Sequence, residues 1–270
     1  MIKTNRFYHL VLFFKKFFSK PTCRIFLTTS PMVKTNDIWE WNREEGNYMD
    51  TFLYFLYAVL YTALLTWGLY SIRKHDLAKW TSVIYIVIIP LIYDNTILAA
   101  GKWIGEGELL ESLNFARFCL HALITPLLVM YSVGTLEESG IEWAKKKWLV
   151  ILGILYTIGL MILEFSIEVV ELEIEVVKEY GVISYSNVEE ATGPPIMVLL
   201  VTLILIVASA ILWKKTKWSF FFIGAIVMTI GSAVPINVES GAITNAFELF
   251  LIFTLVWTKR RLLTNQLYVK

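Results

Sequence analysis

Asp94, Arg117, His121, Glu164 and Glu248 each stand inside an otherwise apolar stretch, accompanied by the amides Asn95, Asn114 and Asn245. A carboxylate held away from water either takes up a proton or holds a cation, a guanidinium can fix it as an ion pair, and an imidazole titrates near neutrality. The chemistry on offer is therefore the binding of protons or cations. A charged side chain in the middle of a membrane-spanning helix costs about 2.5 to 3.5 kcal/mol on insertion scales, so each is a candidate for function until a structural partner accounts for it.

The stretches that carry these residues are long enough to cross a bilayer, which takes about 20 mostly apolar residues for about 30 Å of hydrocarbon. Seven runs qualify: 51–72, 80–101, 110–134, 148–165, 196–213, 218–235 and 242–257. Trp80, Trp148, Trp213, Trp218 and Trp257 stand at their ends, where interfacial aromatic anchors belong. The fold class expected is an all-α membrane protein, a seven-transmembrane helix bundle. Its domain spans 49–262, with an external loop at 166–195, a leader at 1–48 and a cytoplasmic tail at 263–270.

Composition agrees. Of 270 residues, 57% are hydrophobic and 15% aromatic, and the mean hydropathy is +0.61, more apolar than ordinary globular domains. The net charge of +1 and the confinement of basic residues to segment ends argue against a nucleic-acid partner. The partner expected is the lipid bilayer, most naturally the plasma membrane. Cys23 and Cys119 supply neither a disulfide framework nor a metal-ligand spacing.

Lysine and arginine resist translocation, so short loops rich in them lie in the cytoplasm. Arg73, Lys74 and Lys79, then Lys145, Lys146 and Lys147, then Lys214, Lys215 and Lys217, then Lys259, Arg260 and Arg261 follow the first, third, fifth and seventh runs. The alternate loops carry Lys102 and Lys178 against Glu106, Glu108, Glu111, Glu168, Glu171, Glu173, Glu175, Glu179, Glu189, Glu190 and Glu239. Seven spans then place the C-terminus in the cytoplasm and the N-terminus outside. Arg6, Lys15, Lys16, Lys20, Arg24 and Lys34 fit that placement poorly. Either 7–18 forms a basic interfacial helix, or translation starts at Met32 or Met49.

Two loops suggest local structure. Residues 171–176 alternate at period two, and Gly181 precedes a Val-Ile-Ser-Tyr-Ser segment, which together predict an external hairpin. A helix presenting Ile167, Val170, Ile174 and Val177 competes with it. Gly193-Pro194-Pro195 breaks the chain before the fifth run. Gly101, Gly105 and Gly107 suggest a tight, re-entrant lid rather than a phosphate cradle, since no strand precedes them and no Gly-Lys-Ser/Thr follows.

At about 100° per residue, Asn114, Arg117, His121 and Thr125 fall within about 80° of arc, a polar stripe expected to face protein. Gly153, Thr157, Leu160 and Glu164 share a face of the fourth run, and Asn245 and Glu248 are a turn apart on the seventh. Asp94, Arg117, Glu164 and Glu248 all fall in the outer half, with His121 about a turn deeper. These depths predict an outer chamber over an apolar, closed inner half. Asp94 is the expected partner of Arg117, because a short loop makes their runs antiparallel neighbours. Surplus negative charge then remains. The competing reading is structural: an Asp94–Arg117 staple, a hydrogen-bonded His121 and a Glu164 wetted at the interface. Gly224, Met228, Gly231 and Pro235 read as close helix packing, and Tyr54, Tyr57 and Tyr61 as packing.

Seven spans with an outer N-terminus are shared with rhodopsin-type and G-protein-coupled receptors, a fold-level analogy only. The seventh run has no lysine, which excludes a retinal Schiff base there, and the receptor triplet and Asn-Pro turn are missing. With a single intramembrane histidine, the three-histidine zinc hydrolases do not fit either. No cofactor and no metal is expected. The expectation is a chamber lined by Asp94, Asn95, Asn114, Arg117, His121, Glu164, Asn245 and Glu248 that binds or transports a small polar or cationic solute, with proton linkage. The alternatives are an intramembrane enzyme acting on lipid or isoprenoid head groups, and a sensor or assembly factor using the 167–195 loop.

Overall fold

The computed structural model of the chain describes residues 49–70, 72, 77, 79–170, 172–188, 196–233 and 240–268. The leader, Arg73, Lys74, Glu171, Glu189, Glu190, the Gly193-Pro194-Pro195 breaker, Pro235 and Glu239 lie outside them. Six helical runs are long and apolar enough to cross a membrane: Met49–Tyr70, Trp80–Ile104, Glu108–Glu138, Lys147–Val169, Ile196–Thr216 and Ala242–Thr264. The helices are α1 (Met49–Tyr70), α2 (Val83–Ile104), α3 (Glu108–Ile124), α4 (Leu127–Glu138), α5 (Lys147–Glu164), α6 (Ile196–Thr216), α7 (Phe220–Ala233) and α8 (Ala242–Tyr268). The sixth apolar run of the sequence is thus a shorter helix, α7, about 21 Å long at about 1.5 Å per residue.

The third run, expected to be one helix, is two. Pro126 has no N–H to offer the Ala122 carbonyl, and its ring displaces the preceding turn. Leu128 and Val129 instead donate to the carbonyls of Thr125 and Pro126 at 3.1 and 3.0 Å, a tightened turn that restarts the helix as α4. A π-turn, Phe165–Val169, continues α5. α4 ends on Gly140 (φ 78), with Ile141 donating to the Leu136 carbonyl at 3.4 Å. Leu136 and Ile141 pack together over that cap, the contact a Schellman ending favours.

Around a common core, α1 packs on α2, α2 on α4, α4 on α6, α6 on α7, α7 on α8 and α8 on α1, while α5 lies against α3 and α4. Tyr61, Ile84, Ile88, Tyr131, Leu205, Leu212, Phe221 and Leu255 are fully buried within it. The outward faces are apolar too: Phe52, Phe55, Ile86, Ile89, Ile151, Leu155, Ile162, Leu203 and Ile230 are all exposed. Several hydroxyls on these helices are satisfied by their own backbone, as hydrocarbon surroundings favour. Thr62 donates to Ala58, Thr66 to Thr62, and Thr96 to Ile92, at 2.6 to 3.0 Å.

The chain forms the expected hairpin, its first strand beginning at Ile174, inside the period-two stretch, and its second at Val182 as expected. Strands β1 (Ile174–Glu179) and β2 (Val182–Asn187) pair antiparallel, Glu179 opposite Val182. The two-residue turn has positive φ at both Tyr180 (49°) and Gly181 (80°), the geometry whose twist suits a two-residue hairpin. β2 lies on the ends of α2 and α3. The Gly101–Gly107 stretch is no re-entrant lid: α2 continues to Ile104, and Gly105 and Gly107, both at positive φ, form a tight turn into α3. The Tyr185 hydroxyl accepts from the Gly107 N–H at 3.1 Å, and Glu106 pairs with Lys178.

Gly101 explains why the hairpin can sit so low. A Cβ there would stand 1.8 Å from the carbonyl oxygen of Ile183. Gly101→Ala is expected to lift the hairpin at a cost of about 1 to 3 kcal/mol, the range for overpacking a close contact. A lowered melting temperature in detergent is the readout, and a native value would show that the strand yields freely.

Candidate functional site

Two ends of the bundle can be told apart by charge. Lys79, Lys145–Lys147, Lys214, Lys215, Lys217 and Lys259–Arg261 mark a basic end. Glu106, Glu108, Glu111 and the strands mark the hairpin end. A polar cluster lies in the half nearer the hairpin.

Its centre is an ion pair. Arg117 on α3 donates from Nε to Asp94 Oδ1 on α2 at 2.7 Å, the partner expected from the short α2–α3 connection. The guanidinium also donates to Asn114 Oδ1, and Asn114 is held in turn by donating to the Leu110 carbonyl at 2.8 Å. Asn95, the next residue on α2, donates to the Leu91 carbonyl at 2.9 Å and accepts from Asn245 on α8 at 3.0 Å. This amide pair joins α2 to α8 and sets the azimuth of Glu248, one turn along. The Glu248 carboxyl is within electrostatic reach of Asp94 and faces Tyr61 on α1. The Tyr61 hydroxyl is buried and does not meet it in hydrogen-bond geometry.

Six of the eight expected site residues, on α2, α3 and α8, therefore come together: Asp94, Asn95, Asn114, Arg117, Asn245 and Glu248. Glu164 does not join them. Gly153, Thr157, Leu160 and Glu164 are the buried residues of α5, as their common face requires, but the charge that acts on Glu164 is Glu168. The reason is position: α5 stands against α3 and α4 rather than beside α2 or α8. His121 departs in another way. It is within electrostatic reach of Asp94 and Arg117, yet its side chain is exposed on the surface of α3, 3.5 Å from Thr125 Oγ1. The stripe that carries it was expected to face protein, but at the depth of His121 no described helix covers it.

No family model, curated protein or solved structure matches this chain. The chemistry of the cluster must speak for itself.

Two tyrosines belong to the site that the spacing alone assigned to packing. Tyr54 and Tyr61, with Tyr57, form the buried face of α1; Tyr54 is within reach of Asp94 and Arg117, as Tyr61 is of Glu248. Phenol groups recurring every three or four residues beside intramembrane carboxylates were the available signal. Two carboxylates, Asp94 and Glu248, lie within electrostatic reach of each other, and the guanidinium is bonded to Asp94 and Asn114. The expected chamber is occupied by side chains that bond one another: Asn95 and Asn114 are fully buried. Among the described residues, no three His, Cys, Asp or Glu side chains converge as a metal ion would need.

The half nearer the basic end is not uniformly apolar either. Lys259, read from the sequence as a membrane flank, is fully buried at the basic end with Thr81 and Glu138.

Proposed function

We propose that this chain crosses the membrane seven times, α7 included, with the hairpin end outside and the basic end in the cytoplasm. In that frame, the Asp94, Arg117 and Glu248 cluster binds and passes a small cation or a proton. The observation that carries this reading is the imbalance of charge: Glu248 and Asp94 lie within reach of each other, and Asp94 already holds Arg117. A second carboxylate in a medium of low dielectric is stable only with a proton or a cation upon it. Tyr61, facing Glu248, and Tyr54, near Asp94, supply hydroxyls able to follow a change in that occupancy.

The test is proton and alkali-cation flux in proteoliposomes, followed with an internal pH-sensitive dye under an imposed potassium diffusion potential. Glu248→Gln is expected to reduce flux about tenfold or more, the loss of about 1.4 kcal/mol or more of binding. Glu164→Gln, away from the cluster, is expected to leave it near the native rate. Equal flux in native and Glu248→Gln protein, or none above empty vesicles in either, would rule the reading out.

A further inference from the structure

The basic end holds a polar station that the cluster around Glu248 does not use. Lys259 on α8 donates to Thr81 Oγ1, Thr81 donates to Glu138 Oε1, and Lys259 Nζ stands 3.6 Å from the same carboxylate oxygen. Lys79 approaches Glu138 Oε2 at 3.8 Å. Lys259 and Thr81 are fully buried. A lysine near the edge of an apolar stretch has a flexible stem that normally carries its ammonium out to water, and its neighbours behave in that way. Arg260 lies over the Trp67 ring and Arg261 over that of Trp218, each 4.3 Å from the ring centroid. Lys259 turns inward instead, where only close oxygen ligands offset the desolvation of its charge.

Its direction follows from periodicity. Asn245, Glu248, Ile252, Leu255 and Lys259 fall within about 80° of arc on α8, and Thr81, Ile84, Ile88, Leu91 and Asn95 do the same along α2 and the turn before it. Each of these two faces is polar at both ends and apolar between. Ile252, Leu255, Ile84, Ile88 and Leu91 are buried, and Tyr131 on α4 ties the layer together by donating to the Leu255 carbonyl at 2.7 Å. Along α8, Glu248 and Lys259 are about 16 Å apart at about 1.5 Å per residue. One axis between α2, α4 and α8 thus joins the outer carboxylates to an inner carboxylate already holding an ammonium.

We propose that Lys259 is a tethered cation that closes the basic end of this axis. Its ammonium fills a site made by Glu138 and Thr81, and a proton or cation bound near Glu248 reaches the cytoplasm only when Lys259 withdraws. The site is one for a primary ammonium, so a small free amine should replace the side chain when it is cut away. This inference rests on the binding reading above, and its test separates the two.

The experiment uses the full chain in proteoliposomes, with Cys23 and Cys119 replaced by serine and Leu255→Cys as a reporter one turn inside Lys259. Modification by a membrane-impermeant maleimide applied at the basic end reports opening without any flux. In the reporter protein, modification should be slow. With Lys259→Ala or Glu138→Gln added, it should quicken about tenfold or more, a shift of the closed population. Methylammonium should slow it again in the Lys259→Ala protein and not in the Glu138→Gln protein. An unchanged rate in both variants overturns the proposal, as does the failure of methylammonium to act on Lys259→Ala. If either variant does not fold, Glu138→Asp, which keeps the charge but draws it back by one methylene, should give an intermediate rate, and a slow rate there overturns it equally. Unchanged labelling alongside Glu248-dependent flux rejects the closure alone. Quickened labelling without Glu248-dependent flux upholds the closure and rejects the binding reading.

Discussion

Replacing Arg117 by methionine is expected to destabilise the protein by about 1 to 3 kcal/mol, the cost of leaving a partly buried carboxylate without its hydrogen-bonded partner. The size follows from what is left behind. Asp94 loses its guanidinium, Asn114 loses the donor to its Oδ1, and Glu248 stays within reach of the now uncompensated Asp94. Lysine at this position would be a poor substitute, because a point charge on a flexible stem cannot bond Asp94 and Asn114 in the fixed fork of a guanidinium. Thermal unfolding in detergent should show the loss. Combining Arg117→Met with Asp94→Asn should recover more than half of it, since both charges then disappear together. A double variant as unstable as the single one would mean that the pair is not what holds α2 to α3. Proteoliposome flux adds a functional reading, because the single variant should fail even under conditions where it remains folded.

The second large effect is expected where α7 meets α8. A Cβ on Gly224 would lie 2.1 Å from Thr254 Oγ1 and 3.0 Å from its Cβ, and one on Gly231 would lie 2.3 Å from the Phe247 ring. Thr254 cannot easily step aside. It is β-branched, and its hydroxyl donates to the Leu251 carbonyl at 2.7 Å. Without a hydrophobic drive between helices in lipid, close approach at small residues is what holds such a pair together. Gly224→Val should therefore cost about 3 kcal/mol, the upper part of the range for overpacking. Thr254→Ala in the same chain should return part of that loss through a coupling of about 1 kcal/mol, because the two residues share one contact. Additive losses would place the close packing elsewhere.

What could be read in advance, and what could not, divides along physical lines. Length and hydropathy decide whether a stretch can form a spanning helix, and these located the six described runs long enough to span and the shorter α7. The Asp94–Arg117 pair was legible because a three-residue connection leaves α2 and α3 no choice but to be neighbours. The Tyr180-Gly181 turn was marked by its glycine. Non-local choices were hidden. Nothing in α5 says that its buried face meets α3 and α4 instead of the carboxylates, so Glu164 was grouped with the wrong neighbours. His121 lies on the predicted stripe, but a helical wheel cannot show where a neighbouring helix ends. Pro126 was visible and should have divided the third run. Lysine at a membrane boundary is so often a flank that Lys259 passed as one, although its spacing from Glu248 and Leu255 placed it on the inward face.

Thr51, in the first turn of α1, donates to the Gly181 carbonyl at the tip of the hairpin at 2.8 Å. That bond makes the hairpin a lever. Whatever pushes or pulls on the strands also tugs the start of α1, the helix whose tyrosines border Asp94 and Glu248. Movement of the strands would thus be passed on mechanically along α1, one unbroken helix from Met49 to Tyr70.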